Sequence, residues 1–232
     1  MLELASLSKK YRDGSQTVVA VAVERLTVKA GEQVALTGPS GSGKTTLLHL
    51  ISGLLTPTSG EIKFDNIAVS AMPETWRDAW RAKHVGYVFQ KLNLLAGLSV
   101  LDNLLVAMSF AGAVPKPDRR SWGKQLLAQV GLADRLNSLP HQLSTGEQQR
   151  VAIARAVANK PRLILADEPT ASLDQANANK AMALLQQLAQ ESGSILLVAT
   201  HDREIMSLLP RIIPLRQPEG QVTSYAADDC LA

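Results

Sequence analysis

The spacing of apolar residues changes period along the chain. Residues 2–7 alternate weakly between apolar and polar, and residues 17–29 are rich in β-branched side chains. Both stretches read as strands of an antiparallel layer, with Lys9 to Gly14 as a polar turn carrying one exposed aromatic, Tyr11. Gln33 to Leu36 is short, apolar and strand-like. Lys44 to Ile51 has helical spacing, and Gly53 is placed to end it. Glu61 to Phe64 and Ile67 to Val69 read as a hairpin across Asp65-Asn66. Residues 73–83 predict a helix with Trp76 and Trp80 on one face, a spacing that suggests core packing. A strand from His84 to Phe89 then ends at Gln90.

Helical texture dominates from residue 91. Ser99 with Asp102 three residues later marks the start of a helix that runs to Phe110. Ser121 opens another helix that Gly131 closes, and Ser144 to Glu147 opens a third from Gln148 to Asn159. Strand and helix then alternate: strands at residues 162–166 and 194–199, helices at about 175–191 and 203–209, and short strands at 212–215 and 221–224. The expected fold class is α/β, with an antiparallel β-subdomain at the N-terminus and an α-helical subdomain inserted into the core. As one domain over residues 1–232, its β and α/β core takes about 1–90 and about 160–225, and its helical lobe about 91–159.

Composition narrows the classes. A chain of 232 residues with 46% hydrophobic residues can bury a large core, and 4% aromatics make that core aliphatic. The net charge of +3 is too mild to indicate a nucleic-acid partner, despite a pI near 9.1. No apolar run approaches the ~20 residues of a membrane span. The N-terminus lacks a signal-peptide pattern, and the lone Cys230 permits no internal disulfide, so a cytoplasmic protein is expected.

The chemistry starts at Gly38-Pro-Ser-Gly-Ser-Gly-Lys-Thr-Thr46, a glycine-rich loop between a predicted strand and a predicted helix. A loop that wraps a phosphate must bring bare backbone N–H groups close to it, which a Cβ would obstruct. Lys44 adds a mobile charge for the outer phosphates, and the Thr45 hydroxyl can sit on Mg²⁺. The apolar strand Leu163 to Ala166 ends in Asp167 and Glu168, where a parallel sheet places its ligands. Asp167 would reach Mg²⁺ there, and Glu168 could polarise an attacking water. Ser144-Thr-Gly-Glu147 satisfies the capping-box pattern. That is either purely structural or a second helix N-terminus aimed at phosphate.

Gly38 to Thr45, Gln90, Leu143 to Gln148, Leu163 to Glu168, Ser172-Leu-Asp174 and His201 stand in the order and spacing of the ATP-binding cassette (ABC) transporter ATPases. The chain resembles that family from Tyr11 to about Ile213. The resemblance implies ATP and Mg²⁺ as ligands. It implies that Ser40, Gly41, Ser42, Gly43, Lys44 and Thr46 hold phosphates, and that Thr45, Gln90 and Asp167 serve the metal. Glu168 corresponds to the catalytic base, His201 to a γ-phosphate contact and Gln90 to a metal and water contact. Tyr11 resembles the adenine-stacking aromatic; the alternative is an exposed turn tyrosine. Ser144 and Gly146 would touch the ATP of a second copy in a head-to-tail dimer, with Asp174 bridging the subunits.

The resemblance further implies a separate transmembrane permease docked near Gln90 to Val106. It implies a place on the inner face of the cell membrane, with a periplasmic adaptor reached through the permease. The stretches Gly38 to Gly60, His84 to Phe89 and Asp167 to Asp174 look most like the lipoprotein-release and macrolide-export type. A cell-division ATPase, an amino-acid importer or a soluble non-transport ABC ATPase are the alternatives. The chain ends soon after its last core strand, so no appended regulatory domain is expected. One departure stands out: the family usually has glycine where this chain has Thr145. If that position needs positive φ, a β-branched residue there is strained by about 1–2 kcal/mol.

Overall fold

A computed structural model describes residues 1–13 and 16–216. Strand β1 (Leu2–Asp13) pairs antiparallel with β2 (Gln16–Val28) and, on its other side, with β4 (Ser59–Phe64). A short β5 (Ile67–Ala68) completes this sheet in the order β2-β1-β4-β5. The β4–β5 turn is Asp65-Asn66, with φ of 49° and 66°. Both residues in the left-handed region give the tight hairpin whose twist matches its strands. Lys9 to Asp13 continue β1 rather than turning, because the ladder with β2 supplies partners for these polar residues.

The second sheet is parallel and runs β6-β7-β8-β3-β9, with β3 (Gln33–Thr37), β6 (Val85–Val88), β7 (Leu163–Asp167), β8 (Ile195–Ala199) and β9 (Arg211–Pro214). Its strands separate two hydrophobic clusters by simple alternation. Ile164, Ala166, Leu196, Val198 and Ala35 face one cluster, which continues into the helical lobe. Leu163, Leu165, Ile195, Leu197, Val34 and Leu36 face the other, which packs helix α1 (Lys44–Ile51) against the antiparallel sheet. Every residue of β7 and β8 is buried, as a parallel sheet covered on both faces requires.

The lobe contains α3 (Val100–Ala111), α4 (Arg119–Gln129) and α5 (Thr145–Val157). Ser99 caps α3 by accepting from the Asp102 amide. Asn103, 1% exposed, holds the preceding loop by donating to the carbonyls of Leu95, Leu98 and Ser99 and accepting the Leu95 amide. Helix α6 (Gln175–Glu191) spans the predicted residues, and α7 (Arg203–Ser207) follows β8. In α2 (Glu74–His84), Trp80 is buried edge-on to Phe64, but Trp76 is 71% exposed. Four-residue spacing sets a common direction on the helix; it does not extend the packed layer beneath both rings. The strand expected at 221–224 and Cys230 lie outside the described residues.

Gly86 sits where α5 crosses β6, and a Cβ there would collide with the backbone carbonyl of Ala156. Since β6 carries the chain to Gln90, this close crossing also sets where that residue emerges. Gly86→Ala is expected to destabilise the protein by about 1–3 kcal/mol through overpacking, read as a lower urea midpoint with an unchanged slope.

Candidate active site

The carboxyl ends of four neighbouring strands meet at one edge. Leu36 and Asp167 both pair with Ala199, and Val88 pairs with Ala166. The loop after β3, the acids after β7, His201 after β8 and Gln90 after β6 therefore emerge side by side. Gln90 is exposed, two residues beyond the end of β6.

The glycine-rich loop spans residues 38–43 and runs directly into α1. Gly41 and Gly43 have φ of 79° and 85°, conformations that suit glycine. A Cβ on Gly43 would meet the Ala20 carbonyl of β2, whereas the space around Gly41 is open to 4 Å. No side chain caps α1, so its first amides remain available to an anion. Ser42 is 1% exposed and its hydroxyl has no partner in the described structure. Lys44 Nζ curls over the loop and donates to the carbonyls of Gly38 (2.7 Å) and Pro39 (3.1 Å). Uncapped amides, an orphaned hydroxyl, an open glycine and a lysine across the loop's mouth fit a polyphosphate. Thr45 is exposed and Thr46 half-buried on the first turn of α1.

Asp167 is 5% exposed at the end of β7. Burial raises its carboxyl above the ordinary carboxylate range, and the neighbouring Glu168 adds to that. The Thr45 hydroxyl and the charges of His49 and Lys44 act in the opposite direction. Among the described residues no group of three or more His, Cys, Asp or Glu forms a metal cage. Thr45 and Asp167 are oxygen donors suited to Mg²⁺, which takes few protein ligands and completes its shell with phosphate and water.

Glu168 has φ of 46°, unusual for a side chain other than glycine. Its amide donates to the Ala199 carbonyl at 2.8 Å. The carboxylate lies 2.7 Å from His201 Nδ1 and accepts from the Thr200 hydroxyl at 3.2 Å. His201 itself is largely exposed at 73%, against 13% for Glu168. An acid turned out of a strand by a strained backbone and steadied by two neighbours is placed to orient a water molecule. Thr200, fully buried, was invisible to sequence reasoning, since an apolar strand followed by threonine carries no distinctive signal. Arg155 carried one. A cation among the buried Ala154, Ala156 and Val157 needs partners, and it finds the carbonyls of Asn93 and Leu92 beyond Gln90.

Tyr11 is exposed on β1 with the Lys9 ammonium 5.3 Å above its ring. It pairs with Val18, two residues before the Ala20 that touches Gly43, so the β-subdomain brings this ring toward the phosphate loop. Ser144, Gly146 and Asp174 gather elsewhere. They line a shallow depression of about 290 Å³ with Thr145, Arg150 and Asn177, and no residue of the phosphate loop borders it. Ser144 caps α5 in a reciprocal box with Glu147, and Asp174 caps α6 through the Asn177 amide. Thr145 is the first residue of α5 and does not have positive φ, so the strain considered for it does not arise. Its side chain projects from ordinary helical backbone.

A family model described as "ABC transporter" matches residues 23–171. The chain is 43% identical over 216 residues to the lipoprotein-releasing system ATP-binding protein LolD of Psychrobacter arcticus, covering 93% of this chain and 96% of that protein. It is 42% identical over 222 residues to the macrolide export ATP-binding/permease protein MacB of Rhodopirellula baltica, of whose length it spans only 32%. Among solved structures, the dimeric post-hydrolysis state of the ATP-binding cassette MJ0796 of Methanocaldococcus jannaschii, bound to ADP and Pi, superposes with a TM-score of 0.86. That match has 40% identity and covers 94% of this chain and 95% of that one.

A carboxyl whose folded-state value is raised loses stability as pH climbs from its unfolded value through the raised one, because folding then buries the charged form. Asp167→Asn removes that cost. The nucleotide-free variant is expected to melt a few degrees higher at pH 7, with a gap that narrows toward acid, while Mg²⁺-dependent hydrolysis is lost. Thr145→Gly is expected to leave ATPase activity unchanged or raise it; a sharp fall in a steady-state phosphate-release assay would contradict this.

Proposed function

The chain belongs to the ABC transporter ATPase family, and we propose that its residues divide ATP hydrolysis between two copies that close head to tail. The observation that carries this reading is the separation, within one chain, of an open phosphate loop from the depression at Ser144, Gly146 and Asp174. Each helix N-terminus offers amides and a favourable dipole to a phosphate. Two copies facing each other bring the second set to the ATP held by the first.

In this reading Lys44 and the loop amides from Ser40 to Thr46 bind the phosphates, and Tyr11 stacks on the adenine. Thr45, Asp167 and Gln90 would hold Mg²⁺, which when bound would supply charge neutralisation at the phosphate oxygens. Glu168 orients a water and takes its proton as the water oxygen bonds to the γ-phosphorus. The bond to the bridging oxygen breaks, and ADP leaves with the electron pair. His201, bonded to Glu168, steadies that carboxylate and reaches the terminal phosphate. The domain is one cassette, with a core formed, among the described residues, by about 1–90 and 160–216 and a helical lobe between them.

No helix among the described residues is long and apolar enough to cross a membrane. In the same reading a separate permease supplies the membrane path, with this subunit on the inner face of the cell membrane and an adaptor engaged beyond it. A groove of about 620 Å³ between α2 and the lobe suits that docking. It exposes Leu54 and Phe110 (78%) and runs past Asn93, just beyond Gln90, where Arg155 ties the loop to α5. The likeness to proteins named for lipoprotein release and macrolide export supports cargo work of that type.

Glu168→Gln is expected to slow hydrolysis by more than a hundredfold while leaving ATP binding intact, so that ATP and Mg²⁺ convert the variant to a dimer by size-exclusion chromatography. A variant that stays monomeric at saturating ATP would refute the shared site. In detergent extracts, a multi-span membrane protein is expected to co-purify with the wild-type chain and to be lost with Phe110→Asp; recovery of RNA or DNA instead would favour a non-transport ATPase.

A further inference from the structure

Ser144 has one hydroxyl proton, and it is already committed. Ser144 Oγ donates to Glu147 Oε2 at 2.8 Å, and the same carboxylate oxygen accepts the Ser144 amide at 2.8 Å. In return Ser144 Oγ accepts the Glu147 amide at 3.3 Å. Arg135 Nε braces the other oxygen, Oε1, from 3.6 Å. A negative charge thus sits on the first turn of α5, on the donors that a phosphate from a second copy would require. A phosphate can accept only from a donor, so it must take the Ser144 proton away from Glu147. Asp174 adds a second acid to the same depression, with Arg150 the cation that also borders it.

We propose that Glu147 is a built-in competitor for the partner's terminal phosphate, setting the ATP-dependent affinity with which two copies close. The inference rests on the shared-site reading above. Glu147 acts through Ser144 and through its charge, and is a positioning residue. The cap orders Ser144 before closure, and the carboxylate resists the anion that closure brings. The resistance weakens closure of the ATP-loaded pair, because one phosphate must displace one carboxylate from the Ser144 hydroxyl at each of the two sites.

Glu147→Gln separates this role from capping. Glutamine completes a capping box as glutamate does, so the helix start is kept while the charge is removed. Two unit charges about 4 Å apart in water repel enough to change an equilibrium on the order of fivefold. With two sites in a closed pair, the dimerisation constant should rise by about 25-fold. The measurement is sedimentation velocity with ATP and Mg²⁺, comparing Glu168→Gln with Glu168→Gln/Glu147→Gln at low and high salt. The expected result is tighter dimerisation of the double variant, with a gap that shrinks as salt screens the charge. Glu147→Asp, which retains the charge, should give no tightening. An unchanged or weaker dimer with Glu147→Gln, or equal tightening with Glu147→Asp, overturns the proposal while leaving the shared site intact. Absence of any dimer in Glu168→Gln itself overturns both.

Discussion

A parallel sheet buried on both faces can offer its backbone to solvent only at its ends. In this chain β8 and β7 up to Ala166 are apolar because α1 and the antiparallel sheet cover one side and the helical lobe the other. The first polar residues that can appear after such strands do so at the carboxyl edge. Asp167, Glu168, Thr200 and His201 stand there, beside the glycine loop that follows β3. The same constraint that makes the core stable concentrates the reactive groups along one line. It also raises the proton affinity of Asp167, whose carboxylate sits at the boundary between that core and the carboxyl edge.

The chain spends its helix termini in two ways. At α1 nothing caps the first turn, and the free amides face the phosphate loop. At α5, α6 and α7 the caps are filled by Ser144, Asp174 and Asp202. An uncapped start is costly to a helix and useful to a ligand; a capped one is stable but must yield before it can bind anything. The site on α1 is therefore preformed, whereas the one on α5 has an internal occupant. Under the proposed shared site, closure of two copies would trade one set of hydrogen bonds for another.

Arg155 and Asn103 connect these regions mechanically. Arg155 lies on α5, and its guanidinium binds the carbonyls just beyond Gln90. Asn103 clamps the loop from Leu95 to Ser99 that follows. The groove beside α2, the segment after Gln90 and the helix that carries Ser144 are thus tied together at Arg155 and Asn93, which line the groove.

The amino-acid order by itself determined the elements and the chemistry of the main loop. Apolar alternation, glycine placement and capping residues act over a few positions, so α6 and the Asp65-Asn66 hairpin were legible without a fold. The strand pattern placed Asp167 and Glu168, and matching motifs to a family added His201 and Gln90: each sits at or within two residues of the end of a recognisable strand. Other features depended on what lies across the structure. Trp76 and Trp80 have one spacing and opposite fates, because burial depends on the extent of the opposing layer. Thr145 could be judged strained or relaxed only once its backbone was known to be helical. Thr200 gained a role from the glutamate on the adjacent strand, and Glu147 from the two donors of Ser144. Only tertiary structure could decide these, because they depend on how far a packed layer reaches, on the backbone's angles, or on where a hydroxyl proton goes.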